Sequence, residues 1–301
     1  MSEFAQRVRR KHRIHRFKEN WAVHRVIILR MGEEGRIIGR KIVRYEQVQS
    51  TNDLLREWAD RAEPEGLVIT AEEQLAGRGR MGRKWVVPPG TSLQLSILLR
   101  PPLAPLYAQR ITQMAALAVA RTLEQEFGLR PMLKWPNDVL LGEQNCTREA
   151  AGMWRKCAGI LTETSVRGEM LEYAILGIGL NVNYTMRVYP ELAQSATTLQ
   201  DAVGREIDRA ALERVLLGTL DSYYARLKHG EDLLPEYRSK LNMLGQVVRV
   251  ATSNGVLEGI AQDVDGDGAL VLYDGMKLKK LYAGDVTVLK QTPFDSGDVT
   301  P

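Results

Sequence analysis

Cysteine is nearly missing from this chain of 301 residues: Cys146 and Cys157 are its only two, too few for a disulfide framework or a cysteine-built metal cluster. Long apolar runs are missing as well. Stretches such as 115–120 and 174–178 fall far short of the roughly 20 residues that span a bilayer, so no membrane helix is expected. The first residues are basic but lack an apolar core and a cleavage site, so no export signal is expected either. With 44% hydrophobic and 26% charged residues, the chain is neither disordered, collagen-like nor a coiled coil by composition. What remains is a cytoplasmic protein of the α/β kind, long enough for about two domains.

The net charge of +4 hides an asymmetry. Residues 1–44 carry 13 Lys/Arg against four acids, whereas the other 257 carry 28 basic and 33 acidic residues. A charge block of this kind can touch nucleic acid or an acidic partner. The plainer reading is a solvated arm, because the stretch lacks the hydrophobic periodicity that a DNA-binding winged helix needs.

From residue 37 the pattern becomes regular. Residues 38–46 read as a strand. Ser50-Thr51-Asn52-Asp53 reads as a helix start ahead of Leu54, Leu55, Trp58 and Ala62. Residues 67–71 form a short apolar strand, and 92–99 alternate as a half-buried strand stopped by Pro101-Pro102. Residues 109–127 and 209–228 place apolar side chains at helical spacing. Between them, 132–135 and 139–141 read as strands around a Pro-Asn-Asp break, and 142–155 as an insertion loop. Two more strands follow at 158–165 and 171–182, the second holding Gly177 and Gly179; glycine inside a strand marks a bulge or a close approach. After Pro235, short runs 8–12 residues apart alternate with turns such as Asp274-Gly275, the rhythm of a small all-β barrel. Asp265-Gly266-Asp267-Gly268 lacks the spaced acids and terminal Glu of a calcium loop and reads as a turn.

The sharpest chemical feature is Gly77-Arg78-Gly79-Arg80-Met81-Gly82-Arg83-Lys84-Trp85. Three glycines allow tight bends that aim N–H groups at a ligand, and four crowded cations call for an anion such as phosphate or carboxylate. It is neither a Walker loop nor a dinucleotide fingerprint. Lys134-Trp135-Pro136-Asn137-Asp138, Lys156, and Gly177-Ile178-Gly179-Leu180-Asn181-Val182-Asn183 are each explained singly by turns, a solvent-facing lysine, or strand structure.

Taken together and in this order, these segments resemble the biotin–protein ligase (biotin–[acetyl-CoA-carboxylase] ligase) family. The resemblance rests on Ser50-Thr51-Asn52, Gln74, residues 77–85, residues 134–141, residues 156–161, residues 177–183 and the closing Ala283-Gly284-Asp285-Val286. It covers about residues 40–290. It implies an α+β fold: a mixed, mostly antiparallel sheet with flanking helices, like the catalytic core of class II aminoacyl-tRNA synthetases, plus a small C-terminal SH3-like β-barrel. The implied domains are a basic extension at 1–35, a biotin/ATP-binding catalytic domain at 36–238, the SH3-like domain at 239–291 and a tail at 292–301. The implied reaction uses ATP and Mg²⁺ to convert biotin to biotinyl-5′-AMP. The biotinyl group then passes to a lysine of a biotin carboxyl carrier protein.

By the same resemblance, Ser50, Thr51, Asn52 and Gln74 hold the biotin ring. Arg78, Gly79 and Arg80 belong to a flexible loop over biotin, with Arg78 and Arg80 facing its carboxylate and the phosphate. Lys156 holds the carboxyl oxygen and phosphate. Arg78, Arg80, Arg83, Trp85, Lys134, Asn137 and Asn181 contribute to the nucleotide site. Asp138 orients or deprotonates the incoming amine. Lys156, Arg78, Arg80 and Asp138 are thus the expected catalytic group. No dedicated metal site is expected, Mg²⁺ arriving on ATP close to Asp138.

Three departures stand out. Met81 replaces a common Arg, residues 142–155 are longer than usual, and the leader lacks the winged helix of bifunctional members. A mono-functional cytoplasmic enzyme without sequence-specific DNA binding or membrane attachment is therefore expected, with a homodimer as the oligomeric expectation. The alternatives are a lipoate/octanoate–protein ligase of the same fold, or a non-enzymatic biotin- or nucleotide-binding regulator.

Overall fold

The computed structural model describes residues 26–30, 35–142 and 154–289. Residues 1–25 of the expected extension, nearly all of the expected 142–155 loop and the tail from 292 lie outside the described residues. Residues 26–30 lie within the stretch assigned to the extension, yet they form strand β1 (Val26–Arg30) and pair with β2 (Lys41–Val48). Trp154 and Arg155, expected in the loop, instead open strand β7 (Trp154–Arg167).

Eight strands form one sheet in the order β1-β2-β3-β4-β8-β7-β6-β5, with β3 at Leu67–Gln74, β4 at Leu93–Leu99, β5 at Met132–Lys134, β6 at Asp138–Gly142 and β8 at Met170–Leu180. The β2–β3 pair is parallel and every other pair antiparallel, as the resemblance implies. All seven residues of β4 are buried. The alternation read from sequence predicts a half-buried strand, but both faces are covered, and the polar residues that alternate with the leucines, Gln94 and Ser96, are buried too. On one face Val68, Ile97 and Leu176 join the core shared with helices α2 (Gln109–Phe127) and α4 (Arg209–Lys228). On the other, Ile69, Leu98 and Ile175 pack against Leu55 and Ala59 of helix α1 (Thr51–Asp60).

Helix ends follow local chemistry. Ser50 caps α1 by accepting from the Asp53 N–H, and α2 ends at Gly128 with φ of 63°, the left-handed stop that glycine adopts without a Cβ clash. Two short helices, α3 (Leu199–Val203) and α5 (Leu234–Lys240), have too few turns to show a period.

The C-terminal unit is a five-stranded antiparallel sheet, β12-β11-β10-β9-β13, spanning Val247–Thr252 (β9), Gly255–Val264 (β10), Leu270–Tyr273 (β11), Leu278–Leu281 (β12) and Asp285–Val288 (β13). Its 265–268 turn docks on the larger unit. Trp135 is fully buried and donates to the Gly268 carbonyl at 2.9 Å, and Arg238 donates to the Val264 carbonyl at 2.9 Å. Trp135→Phe keeps the apolar filling but leaves that carbonyl unpaired beside a small void. The expected loss is about 2–3 kcal/mol of unfolding free energy, read by urea titration. A midpoint unchanged by the substitution would show that the tryptophan does not fasten the barrel.

Candidate functional site

Two cavities meet at the strand ends near the start of α1. The smaller, ≈ 150 Å³, is lined by Ser50, Thr51, Asn52, Gln74, residues of the 78–85 loop, Gly177 and Gly179. The larger, ≈ 730 Å³, is lined by Lys134, Asn181, Tyr184, Tyr189 and barrel residues including Thr287. Their common wall is built from Arg83, Lys84, Trp85, Asp138, Lys156 and Asp285.

The floor of the first cavity exists because the sheet carries glycine where other strands carry side chains. Register places Gly179 directly beside both Gln94 and Gly159, and Gly177 beside Ser96. A Cβ at position 177 would stand 2.5 Å from Asn52 Oδ1, and one at 179 would stand 2.4 Å from the Trp85 ring. The indole thus lies directly on the sheet.

The chamber's polar side chains are aimed by one another. Gln74 Oε1 accepts from the Thr51 N–H at 2.8 Å and from its hydroxyl at 3.1 Å, while Gln74 Nε2 donates to Gln94 at 3.0 Å. The buried Ser96 hydroxyl lies 2.7 Å from Thr51 Oγ1 and 2.6 Å from Asn52 Oδ1. Asn52 Nδ2 donates to Glu163 at 2.6 Å. Satisfied in this way, these groups hold fixed directions toward a polar ligand, and a ligand that matched them badly would leave buried groups unpaired.

Lys156 reaches the site through a register slip. Asp138 pairs with Gly159 and Val139 with Ala158, but Leu140 pairs with Lys156, leaving Cys157 as the extra residue of a bulge. Without it Lys156 would face away from Gly159; the bulge turns it to the same side as Asp138. Its Nζ then lies 2.6 Å from Asp138 Oδ1 and 5.7 Å from the centre of the Trp85 ring. The extra residue is swallowed by the core. Cys157 is fully buried, and burial pushes its thiol up to about 12, so it is no nucleophile.

The cations differ in how they are spent. Arg83 binds Asp285 at 2.7 Å, and Lys134 lies 3.5 Å from Asp285 and 3.9 Å from Asp138. Burial works to raise the Asp285 carboxyl, but Arg83 and Lys134 outweigh it and leave it below its usual range. Arg78, expected to face carboxylate and phosphate, instead directs its guanidinium to Asp53 and Glu163. Arg80 has no ion pair with any described residue. Burial lowers its proton affinity, opposed by the nearby charges of Asp138 and Asp285, and it borders the first cavity. Met81 holds the left-handed φ of 55° and is exposed.

Of the other expected residues, Asn137 borders the first cavity, but its amide is spent on the Ile160 carbonyl at 2.7 Å. Asn181 Nδ2 donates to the Thr197 carbonyl at 3.0 Å, leaving Oδ1 buried and without a partner beside the second cavity. Gly79 borders the first cavity. Among the described residues no group of three His, Cys, Asp or Glu could hold a metal. Residues given no role in the site by motif reading are Asp53, Glu163, Gln94, Ser96 and, reaching in from barrel strand β13, Asp285.

The chain matches the biotin/lipoate A/B protein ligase family over residues 45–181 and the biotin protein ligase C-terminal domain over 243–289. It is 32% identical to the bifunctional ligase/repressor BirA of Bacillus subtilis, over 86% of this chain and 77% of that protein. It is 35% identical to the biotin–[acetyl-CoA-carboxylase] ligase of Mycobacterium tuberculosis, over 81% of this chain and 87% of that one. Among solved structures, the biotin protein ligase of Aquifex aeolicus in complex with biotin and ATP superposes with a TM-score of 0.68. It is 26% identical and covers 83% of this chain and 99% of that one.

Proposed function

Given that the chain belongs to the biotin/lipoate A/B protein ligase family, we infer that it is a biotin–protein ligase. It uses ATP to activate biotin as biotinyl-5′-AMP and transfers the biotinyl group to a lysine of a carboxylase's biotin carrier domain. The observation that carries this reading is the meeting of a small, fully directed polar chamber and a larger one at a common wall that carries Lys156 beside Asp138. The match of the C-terminal unit to biotin protein ligases favours biotin over lipoate.

In the first half-reaction a biotin carboxylate oxygen bonds to the α-phosphorus of ATP, and the bond to the bridging oxygen breaks to release pyrophosphate. Biotin's ring occupies the smaller chamber among Ser50, Thr51, Asn52 and Gln74, so its carboxylate emerges at the common wall. Lys156 and Arg80 meet the negative charge there, and Arg83 and Lys134 meet the remaining phosphates by exchanging Asp285 for them. Preorganised cations at the point where charge builds are the largest lever of such a site. Trp85 and the free Oδ1 of Asn181 serve the nucleotide, the latter accepting from an amino group. Asp138 and Asp285 are too few for a metal cage of their own and fit an ion borne mainly by phosphate; when bound, Mg²⁺ supplies charge neutralisation. In the second half-reaction the acceptor amine bonds to the acyl carbon, AMP leaves, and Asp138 takes the amine's proton.

Among the described residues no helix is long and apolar enough to cross a membrane; a cytoplasmic site of action, a homodimer and the lack of sequence-specific DNA binding belong to this proposal. The test is ATP–pyrophosphate exchange by purified protein with Mg²⁺ and biotin, lipoate or octanoate in parallel. Exchange with biotin alone is expected. Exchange with lipoate alone would overturn the substrate, and none with any acid would overturn the enzyme.

A further inference from the structure

The joint between the catalytic unit and the barrel carries an amide that no neighbour uses. Asn242 is 5% exposed, its Oδ1 is buried without a partner, and its Nδ2 donates to no described residue. Its backbone, in contrast, is held on both sides. The N–H donates to the Leu133 carbonyl at 2.9 Å, and the carbonyl accepts from Gln246 Nε2 at 2.6 Å. A buried amide without partners lowers stability, and such groups are few in folded proteins. Folding alone therefore gives no reason for asparagine at this position.

Its place in the fold gives one. Leu133 on β5 and Leu241 form an isolated parallel bridge, and both side chains are fully buried. Side chains alternate along extended chain, so the next residues, Lys134 and Asn242, turn together to the opposite side. Both line the second cavity, as does Gln246. Lys134 lies 3.5 Å from Asp285, the carboxylate it would exchange for phosphate. A cation and an unused amide thus stand side by side on one wall.

We propose that Asn242 is a phosphate-binding residue: its Nδ2 donates to the β- or γ-phosphate of ATP beside Lys134, and so to the pyrophosphate that leaves. The proposal rests on the ligase reading for ATP as the ligand, and on the joint's geometry for the contact. Phosphate oxygens only accept, and the two groups offered, an amide N–H and a lysine ammonium, donate. Hydrogen bonds to an anion are the strong ones, so a neutral donor next to the cation tightens the grip without adding charge. The contact belongs to the first half-reaction alone, because biotinyl-5′-AMP retains the α-phosphate and has lost the other two.

The test compares the full-length protein with Asn242→Leu and Asn242→Asp. Exchange with biotin gives KM for pyrophosphate, ATP and biotin. A single turnover started from supplied biotinyl-5′-AMP and a carboxylase carrier domain follows the second half-reaction by itself. Asn242→Leu is expected to raise KM for pyrophosphate and for ATP about ten-fold, the loss of one hydrogen bond to a charged group, with KM for biotin and the transfer rate changed by less than about two-fold. Its melting temperature is expected to hold or rise, since the lost amide bonds to nothing within the protein. Asn242→Asp sets an anion against the phosphates and is expected to raise both constants further. An unchanged KM for pyrophosphate in the leucine variant would overturn the proposal. Equal losses in both half-reactions would overturn it as well, placing the residue against the adenosine or in the fold. If the parent protein shows no exchange with any acid, the ligase reading fails separately. Calorimetric titration of parent and leucine variant with tripolyphosphate then decides the contact, and equal dissociation constants would overturn it.

Discussion

Lys156→Ala is expected to lose biotin-dependent pyrophosphate exchange by about a thousand-fold or more in kcat/KM, the upper end of what removing one preorganised charge costs. The lysine stands on the wall shared by both cavities, where the β-bulge at Cys157 turns it inward to lie 2.6 Å from Asp138; Arg80 and Lys84 reach the first cavity from a different element. Lys134 already lies between Asp138 and Asp285, and Arg83 is bound to Asp285. The fold is expected to survive. The Lys156 side chain is about a third exposed, and Asp138 keeps Lys134 at 3.9 Å, so the melting temperature should move by no more than about 2 °C. Lys156→Arg keeps the charge but replaces a point donor by a planar fork in a space where Nζ already lies 2.9 Å from the position a Cβ on Gly159 would occupy; it is expected to recover only a minor part of the rate. Normal exchange by the alanine variant would remove Lys156 from the mechanism.

How this site was and was not readable from sequence has a physical reason. Helices α2 and α4 run over the residues that helical periodicity marks, 109–127 and 209–228, because amphipathic spacing is local information. Ser50 as a helix cap is local too. The large sheet's strand order was not readable: β8 inserts beside β4, leaving β5 at the far edge, and nothing in a strand's own pattern names its neighbour. Strand β1 was hidden by the arginine-rich surroundings that dominate its composition. Lys156 looked like a solvent-facing lysine at a strand start because period-two alternation cannot register a one-residue bulge.

The cations show the same limit more sharply. Arg78, Arg80 and Arg83 sit within six residues and carry identical chemistry, so sequence offered no ground for dividing them. The fold does. Arg78 is taken by Asp53, 25 residues earlier, and Glu163, 85 later; Arg83 is taken by Asp285, 202 later. Arg80 is left without an ion pair to any described residue, at the edge of the first cavity. Which cation is free depends on where the acids arrive, and that is a property of topology. Asn137 teaches the same lesson with a neutral group: it stands in a specific motif, yet its amide is engaged in holding β7.

Gly179→Ala carries the second large effect, and its argument rests on space. The residue lies in a strand at ordinary negative φ, so alanine meets no backbone strain, and the smaller entropy of the unfolded chain should raise stability by about 0.4–1 kcal/mol were there room. There is none: the new methyl would stand 2.4 Å from Trp85 Cε2 and 2.5 Å from Cζ2. The indole must lift off the sheet, and with it the wall between the two cavities. Exchange activity is expected to fall about a hundred-fold, consistent with the cost of a displacement of roughly 1 Å at a reacting geometry, and KM for ATP should rise. Gly218→Ala in α4, with nothing within 4 Å of the added methyl, is the matched control and should leave exchange unchanged. The decisive variant is Trp85→Phe in the Gly179→Ala background. A single six-membered ring gives up part of the indole that the methyl strikes, so a recovery of about ten-fold over Gly179→Ala alone is expected. If the second substitution instead adds its own loss to the first, the collision is not with Trp85, and the glycine floor serves the ligand directly.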